Sequence, residues 1–273
     1  MDAHTRLFWL LGHPVKQTVS PGLFNRAFAA AQENAALIAL DTPPEQLGAA
    51  LSLLRHASNV HGCLLTIPHK QAVVKYLDGL TSRSQALGMV NIIRKTPQGL
   101  EGDALDGLGF TGALALHGQT VRGKHVLVIG CGGAGAASAW QALEEEAFEV
   151  GLFDVDVSRM VSLATSLAAQ FGEHRVRTLS QPEGDWQIVL NASPLGMRES
   201  DTLPMRVEAL SAEAVLVDAT TPAQPSFWLS QAAQRDHAVI HGQDFTRGQV
   251  LAMAEFFGLS SNVQSALKEL KRA

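Results

Sequence analysis

The amino-acid sequence predicts an α/β protein with two successive α/β domains and a helical C-terminal tail. Short apolar runs rich in branched residues alternate with segments of helical periodicity, a pattern typical of sheets flanked by helices. A glycine-rich turn joins one of these runs to a helix near the middle of the chain. From Phe245 onward helical periodicity alone continues.

Four apolar runs predict the strands of the first domain, and because helical segments separate them we expect a largely parallel sheet. These runs are residues 7–11, 37–40, 63–67 and 90–93. Ser20 and Pro21 predict a helix start, with the serine hydroxyl as its cap and proline in the first turn. Residues 69–77 are also predicted to be helical, and the domain is expected to end near residue 107.

The second domain continues the alternation after a predicted helix over residues 108–117. Strands are predicted at residues 126–129, 150–153, 175–179, 186–190, 214–217 and 238–240. Helices are predicted at residues 136–143, 157–171 and 227–235. The sequence alone leaves open whether the tail packs on the first domain.

The segment from His125 to Asp154 has the order strand, glycine turn, helix, strand, acid, which is the dinucleotide-binding fingerprint of the Rossmann fold. Gly130 permits a tight turn, and Gly132 lets the backbone approach a pyrophosphate at a helix N-terminus. Gly135 lets the helix pack closely on the strand. Asp154 is placed to accept hydrogen bonds from a ribose diol. A tight turn without nucleotide and an adenosine ligand of the S-adenosylmethionine type remain as alternatives.

Composition limits the classes of partner. The 273 residues are 46% hydrophobic and 17% charged, as in a globular chain, and the formal net charge is −5. That charge provides no attraction for nucleic acid or an anionic membrane. Cys63 and Cys131 lack zinc-type spacing, and a reduced, cytoplasmic setting is expected. No signal sequence is predicted near the N-terminus, and no apolar stretch approaches ~20 residues.

Outside the glycine turn, Lys70 and Asp106 are candidates for acid–base chemistry. Lys70 directly follows a predicted strand, and a lysine beside a carboxylate can hold and release a proton against a substrate hydroxyl. Taken alone, a residue of either type is more often a solvated surface charge. His237 and His241 flank a predicted strand, where a spacing of four residues spans roughly 13 Å. No metal site is therefore predicted.

Seven short motifs occur along the chain in a fixed order. They are residues 12–15 with 18–21, 64–70, 88–91, 102–107, 130–134, 191–193, and Gln249. In that order they resemble G-N-P with S-x-S-P, N-V-T-x-P-x-K, G-A-V-N, G-x-N-T-D-G, G-x-G-G-A, N-A-T/S and a C-terminal glutamine of the shikimate dehydrogenase family, including its quinate/shikimate members. The resemblance covers nearly the whole chain.

The resemblance implies a substrate domain formed by residues 1–107 and 245–273, and a Rossmann domain formed by residues 108–244. The C-terminal helices are thus expected to pack back on the first domain. It implies reversible hydride transfer between a ring C–OH and a nicotinamide cofactor, with Lys70 and Asp106 as the catalytic pair. The implied substrate contacts are Thr18 and Ser20 to the carboxylate, and Thr66, Lys70, Asn91, Asp106, Thr221 and Gln249 to the ring. The implied cofactor contacts are Gly130, Gly132, Gly133, Ala134, Gly135, Asp154, Asn191, Ser193 and Gly242.

Four departures from the family pattern affect the substrate side. Thr18 replaces a serine and narrows the carboxylate pocket, while Leu64, Leu105 and Thr221 replace asparagine, threonine and tyrosine. Because each of the latter removes or shortens a polar contact, quinate or an amino-substituted ring acid stands beside shikimate as substrate. A non-catalytic sensor for dinucleotide or ring acid is the alternative from another class.

A further departure concerns the cofactor. NADP-using members carry N-R-T/S after the second Rossmann strand, whereas this chain has Asp154, Val155 and Asp156. Two carboxylates repel a 2′-phosphate, while Asp154 suits a free ribose diol. NAD is therefore the predicted cofactor and NADP the alternative, with Arg159 as the nearest cation that would reverse the preference. The expected partners are a small ring hydroxy acid and, by resemblance alone, a second copy in a homodimer.

Overall fold

The computed structural model of this chain describes residues 1–16, 18–220 and 225–269. Two compact units divide it: Met1–Leu105 with the described residues from Val250 onward, and Asp106–Gln249. The predicted domain boundaries, 107/108 and 244/245, lie near these divisions. The substrate and cofactor roles of the two domains stay predictions.

The first unit contains a mixed sheet of six strands. These are β1 (Arg6–Gly12), β2 (Ala35–Asp41), β3 (Val60–Leu65), β4 (Gly79–Leu80), β5 (Ile92–Thr96) and β6 (Gly99–Asp103). Their spatial order is β2-β1-β3-β5-β6-β4. Strand β1 runs parallel to both neighbours, but β5 runs antiparallel to β3 and β6. The expected largely parallel sheet is therefore parallel at one side and interrupted by a hairpin.

Four α-helices precede the second unit within the described residues. They are α1 (Ser20–Ala30), α2 (Leu47–His56), α3 (His69–Ala72) and α4 (Ser82–Leu87). Helix α1 begins at Ser20 as predicted, but the prediction of a serine cap is wrong. Val19 occupies the cap position and no side chain caps the helix, because Ser20 already lies in the first turn with Pro21. The predicted helix over residues 69–77 is a short α-helix followed by a 3₁₀ turn, Val74–Tyr76.

The second unit is a parallel sheet with helices between its strands. The strands are β7 (His125–Ile129), β8 (Glu149–Phe153), β9 (Val176–Thr178), β10 (Ile188–Asn191), β11 (Val215–Asp218) and β12 (Ala238–Ile240). The helices are α5 (Asp106–Leu116), α6 (Gly133–Glu144), α7 (Val157–Phe171), α8 (Phe227–Ala233) and the first half of α9 (Gly242–Phe256), whose residues from Val250 belong to the first unit. The strand order β12-β11-β10-β7-β8-β9 is the Rossmann order, which confirms the predicted fold class.

The C-terminal helix α10 (Ser261–Glu269) returns to the first unit. It contacts α1 and buries Val263 and Leu267. Just before it, the Phe257 ring lies 4.7 Å from the ring of Phe8, so the aromatic core of the first unit includes the tail. The expected return of the C-terminal helices is thereby confirmed. None of the helices in the described part of the chain combines the length and apolarity needed to cross a bilayer.

Candidate functional site

A cavity of about 380 Å³ opens at the carboxyl ends of the strands in the second unit. It lies between the loops that follow β7 and β10, where the order of the sheet reverses and where ligands bind in open α/β sheets. Its lining comes from the ends of strands β7 and β8, from the loops that follow β7, β8 and β10, and from helix α7: Ile129, Gly130, Gly132, Phe153, Asp154, Val155, Arg159, Ala192, Ser193, Pro194 and Leu195.

The glycine turn has the geometry that a pyrophosphate requires. Gly130 has φ of +96°, which favours glycine, and a Cβ there would lie 2.9 Å from the Ala192 carbonyl oxygen. A Cβ on Gly135 would lie 1.8 Å from the Gly130 carbonyl oxygen, so helix α6 packs directly on the turn. At Gly132 a Cβ would meet no protein atom within 4 Å, so the backbone faces open space. Because Gly133 and Ala134 begin α6, their N–H groups lie at a helix N-terminus, where anions bind favourably.

Asp154 ties the end of β8 to this turn. Its Oδ2 accepts a hydrogen bond from the Cys131 N–H at 2.6 Å, and its Oδ1 accepts one from the Asp156 N–H at 2.8 Å. The residue is 7% exposed, yet it lines the cavity. Asp154 therefore shapes the turn, and its predicted contact with a ribose diol would use lone pairs beyond these two bonds.

Asp156 and Arg159 form a charged pair at the rim of the same cavity. Oδ1 of Asp156 accepts from the Arg159 N–H and so caps helix α7, while Oδ2 lies 3.0 Å from Nη2 of Arg159. Nη1 of Arg159 also lies 3.5 Å from Oδ2 of Asp154. Hydrogen bonds from the Ser158 hydroxyl and then the Arg159 N–H lower the pKa of Asp156. The guanidinium thus faces two carboxylates within the described structure.

Cys131 is a packing residue of the turn. Burial, followed by the nearby Asp154 carboxylate, raises the pKa of its thiol to about 12. At neutral pH the thiol is therefore protonated, and the thiolate that nucleophilic chemistry needs is not populated.

Asn191 and Ser193 build the opposite wall. Asn191 is fully buried; its Oδ1 accepts from the N–H and the hydroxyl of Ser193, and its Nδ2 donates to the Leu195 carbonyl at 3.0 Å. Asn191 therefore fixes the loop, whereas Ser193 lines the cavity. Cofactor contacts of both residues stay predictions, and this geometry favours an indirect role for Asn191.

In the first unit, backbone hydrogen bonds fix the segments that carry Lys70, Thr66 and Asn91. Lys70 is half-buried at the start of α3, and its carbonyl accepts from the Val90 N–H at 2.8 Å. The Asn91 carbonyl accepts from Leu65, while its side-chain Oδ1 accepts from the Leu105 N–H at 2.8 Å. A Cβ on Gly12 would lie 2.3 Å from Cγ2 of Thr66, so that glycine makes room for the threonine.

Of the two predicted carboxylate contacts, Thr18 lies in the segment between β1 and α1, and Ser20 is the first residue of α1. The Thr18 hydroxyl donates to the Val15 carbonyl at 2.7 Å, so it must turn before it can donate to a substrate carboxylate. Ser20 is partly exposed in the first turn of α1. Thr221 lies outside the described residues.

In the second unit, Asp106 and Gln249 meet. Asp106 begins α5 and is 3% exposed, and its Oδ1 accepts a hydrogen bond from Nε2 of Gln249. Gly242, the predicted nicotinamide contact, is the first residue of α9, and the same helix carries Gln249. Two residues that are far apart in sequence and that the resemblance assigns to the substrate ring therefore lie together.

One functional feature escapes sequence reasoning, namely the engagement of Arg159 by Asp156. The D-x-x-R spacing at the start of a helix is the signal that predicts it, since residues three apart lie on one helix face. Among the described residues, no group of three histidine, cysteine or carboxylate side chains is arranged to hold a metal ion.

Comparison with known proteins gives consistent matches. Residues 10–93 match the family model described as shikimate dehydrogenase substrate binding domain. The chain is 34% identical to a shikimate dehydrogenase (NADP(+)) of Salinibacter ruber, covering 100% of this chain and 99% of the relative. It is 31% identical to that of Thermococcus kodakarensis, covering 88% and 86%.

Among solved structures, shikimate 5-dehydrogenase from Thermus thermophilus in complex with NADP(H) and shikimate superposes with a TM-score of 0.83. It is 27% identical, and the match covers 97% of this chain and 99% of that one.

Proposed function

This chain belongs to the shikimate dehydrogenase family, and we propose that it interconverts shikimate and 3-dehydroshikimate, or a closely related ring hydroxy acid and its ketone. It is an NAD(P)-dependent oxidoreductase. The observation that carries the proposal is the cavity at the Rossmann switch point, whose bare Gly132 backbone fits a cofactor pyrophosphate. The similar Thermus thermophilus enzyme binds NADP(H) and shikimate, which supports the same substrate class here.

Bound nicotinamide supplies the hydride acceptor or donor; the chain supplies proton transfer and positioning. Lys70 takes the proton from the ring hydroxyl during oxidation and returns it during reduction. Asp106 is the second member of the pair and accepts a hydrogen bond from the same ring hydroxyl. Because Gln249 donates to Asp106, it fixes the rotamer of this carboxylate and directs its own amide oxygen to a donor on the ring.

The remaining contacts follow from side-chain chemistry. Since Oδ1 of Asn91 accepts from the Leu105 N–H, its NH₂ group is the end of the amide that donates to a ring hydroxyl. Thr66 contributes a second hydroxyl contact. Thr18 and Ser20 donate to the substrate carboxylate once the Thr18 hydroxyl turns from the Val15 carbonyl.

For the cofactor we propose NAD in preference to NADP. Val155 stands where NADP-using members carry arginine, and Asp154 and Asp156 outnumber the cation Arg159 at the rim. A 2′-phosphate would therefore meet an excess of negative charge as well as an arginine that is already paired. The curated relatives compared above are named for NADP(+), so this proposal sets the chain apart from them.

Quinate and an amino-substituted ring acid are second candidates as substrate. The observation that favours them is that Leu64 and Leu105, which replace polar family residues, are each 2% exposed and offer no side-chain hydrogen bond. We also propose a homodimer and a cytoplasmic enzyme; Cys63 and Cys131 are both free and buried, as expected of a protein in a reducing compartment. Sedimentation of the purified chain tests the dimer.

The deciding experiment follows cofactor reduction with shikimate, quinate and an amino-substituted analogue, each with NAD and with NADP. We expect turnover of shikimate with the higher kcat/KM for NAD. A higher kcat/KM for quinate or the amino analogue identifies a second candidate as the substrate. Binding of dinucleotide without turnover of any ring acid would establish a non-catalytic sensor instead.

A further inference from the structure

Helices α5 and α9 cross with their backbones in contact. A Cβ on Gly112 would lie 2.8 Å from Cα of Gly248, and a Cβ on Gly248 would lie 2.9 Å from the Gly109 carbonyl oxygen. Side-chain ridges normally set how one helix sits on another. Because glycines form this contact, it provides few ridges to fix rotation or sliding of α9 on α5.

One large side chain, the Phe245 ring, packs at the crossing. A Cβ on Gly109 would lie 2.7 Å from the Phe245 ring, so this ring rests directly on the bare backbone of α5. Because this ring is flat and Gly109 has no side chain, the contact prevents α5 and α9 from moving closer together. It opposes rotation of α9 on α5 less. The orientation of α9 therefore depends on polar contacts on either side of the crossing.

The first such contact is the hydrogen bond from Gln249 to Asp106, at the start of α5. The second lies beyond the other end of α5, where Nε2 of His117 is 2.9 Å from Oδ2 of Asp244. Arg247 approaches Oδ1 of the same carboxylate at 3.4 Å. The two contacts lie on opposite sides of the glycine crossing along α5.

The Asp244 carboxylate is well placed to hold the helix. Its side chain is 1% exposed, and it lies in the first turn of α9, where the partial positive charge of the helix N-terminus favours an anion. A buried carboxylate is stable when charged groups and hydrogen-bond donors compensate its lost hydration. His117 and Arg247 provide this compensation. Arg247 lies on α9 and moves with it, so His117 alone of the two opposes a rotation of α9 that would carry Asp244 away.

We infer that Asp244, acting through His117, is a positioning residue that holds α9 so that Gln249 meets Asp106. It does not touch the reacting atoms; it sets the angle at which Gln249 presents its amide to the ring. This inference rests on the proposed function, which assigns Asp106 and Gln249 to substrate binding.

The test is a double-mutant cycle in the full-length enzyme with Asp244→Asn and Gln249→Ala. We expect Asp244→Asn to lower kcat/KM for the ring acid about tenfold, more through KM than through kcat, because ring binding depends on Gln249. The Kd for ADP, which reports the turn and the Asp154 region, stays within about twofold. In the Gln249→Ala background, Asp244→Asn has little further effect on KM.

His117→Ala makes the same test at a residue with a partly exposed side chain, in case Asp244→Asn does not fold. Glu208→Gln, which breaks an exposed ion pair with Arg235 in the same unit, is the matched control and leaves KM unchanged. Equal effects of Asp244→Asn with and without Gln249 would overturn the inference, since they would mean a general structural role.

A crystal structure of the Asp244→Asn variant separates this inference from the proposed function, because it needs no substrate. We expect Nε2 of Gln249 to leave hydrogen-bond distance of Asp106. If the bond persists, the positioning role is wrong even for an active enzyme. If the parent turns over no ring acid, the proposed function fails, and the displacement of Gln249 still decides the positioning role.

Discussion

Nη2 of Arg159 lies 3.0 Å from Oδ2 of Asp156, so the cation at the cavity rim is paired before any cofactor arrives. This pair bears directly on cofactor choice. Arginine recognises phosphate through its planar fork of donors, and a carboxylate that engages the fork competes for the same role.

Replacement of Asp156 by serine tests this competition. Serine keeps a cap for α7 but removes the nearer carboxylate. Arg159 then keeps only the longer contact to Asp154, at 3.5 Å, of these two pairs, and a 2′-phosphate competes for it more easily. We expect the ratio of kcat/KM for NADP to that for NAD to rise about tenfold, equivalent to about 1.4 kcal/mol. Adding Arg159→Met to this variant removes the gain. An unchanged ratio, or a loss of NADP use by Arg159→Met alone, contradicts the proposal.

Lys70→Ala tests the acid–base assignment. Loss of the proton carrier is expected to lower kcat by roughly 10²–10⁴-fold, the usual contribution of general acid–base catalysis. Lys75→Ala, five residues along and exposed, is the control and is expected to keep the parental kcat. A near-normal kcat for Lys70→Ala would remove this residue from the mechanism.

Asp106→Asn tests the partner of the lysine. The amide keeps the size of the side chain but loses the negative charge that the proposal assigns to the acid–base pair, so we expect kcat to fall by at least about tenfold. Circular dichroism and the Tm establish that the variant is folded. An intact kcat in folded protein would exclude Asp106 from the pair.

Two glycine substitutions distinguish packing from ligand approach in the turn. Gly135→Ala places a methyl group against the Gly130 carbonyl, and such overpacking is expected to lower stability by about 1–3 kcal/mol. Gly132→Ala places its methyl in open space, so the Tm is expected to stay near that of the parent while the Kd for NAD rises. Unfolding experiments and NAD titration measure the two effects. Unchanged NAD affinity in Gly132→Ala would mean that no pyrophosphate approaches this backbone.

The Rossmann unit can be predicted from sequence because its signals are local. The strand before Gly130, the helix from Gly133 and the acid at 154 follow one another within a short segment. The hairpin strand β6 carries no such signal, since Leu100 is its one apolar residue and pairing with β5 stabilises it.

The site is less predictable than the fold, because its contacts are non-local. The meeting of Asp106 and Gln249 depends on how two helices cross, and sequence assigned both residues to the ring only through family resemblance. Likewise, an aspartate at position 154 could contact a ribose or accept a hydrogen bond from the Cys131 N–H. The sequence contains the same residue in both cases and does not distinguish these roles.

The two bonds of Asp154 constrain how this enzyme can change. A substitution there would release the Cys131 and Asp156 N–H groups and loosen the glycine turn to which we assign the pyrophosphate, whichever cofactor is used. The Asp156 side chain instead caps α7, which serine can also do, and pairs with Arg159 at the exposed rim. If the proposed NAD preference holds, residue 156 can change while residue 154 stays fixed, and redesign of this chain toward NADP begins at residue 156.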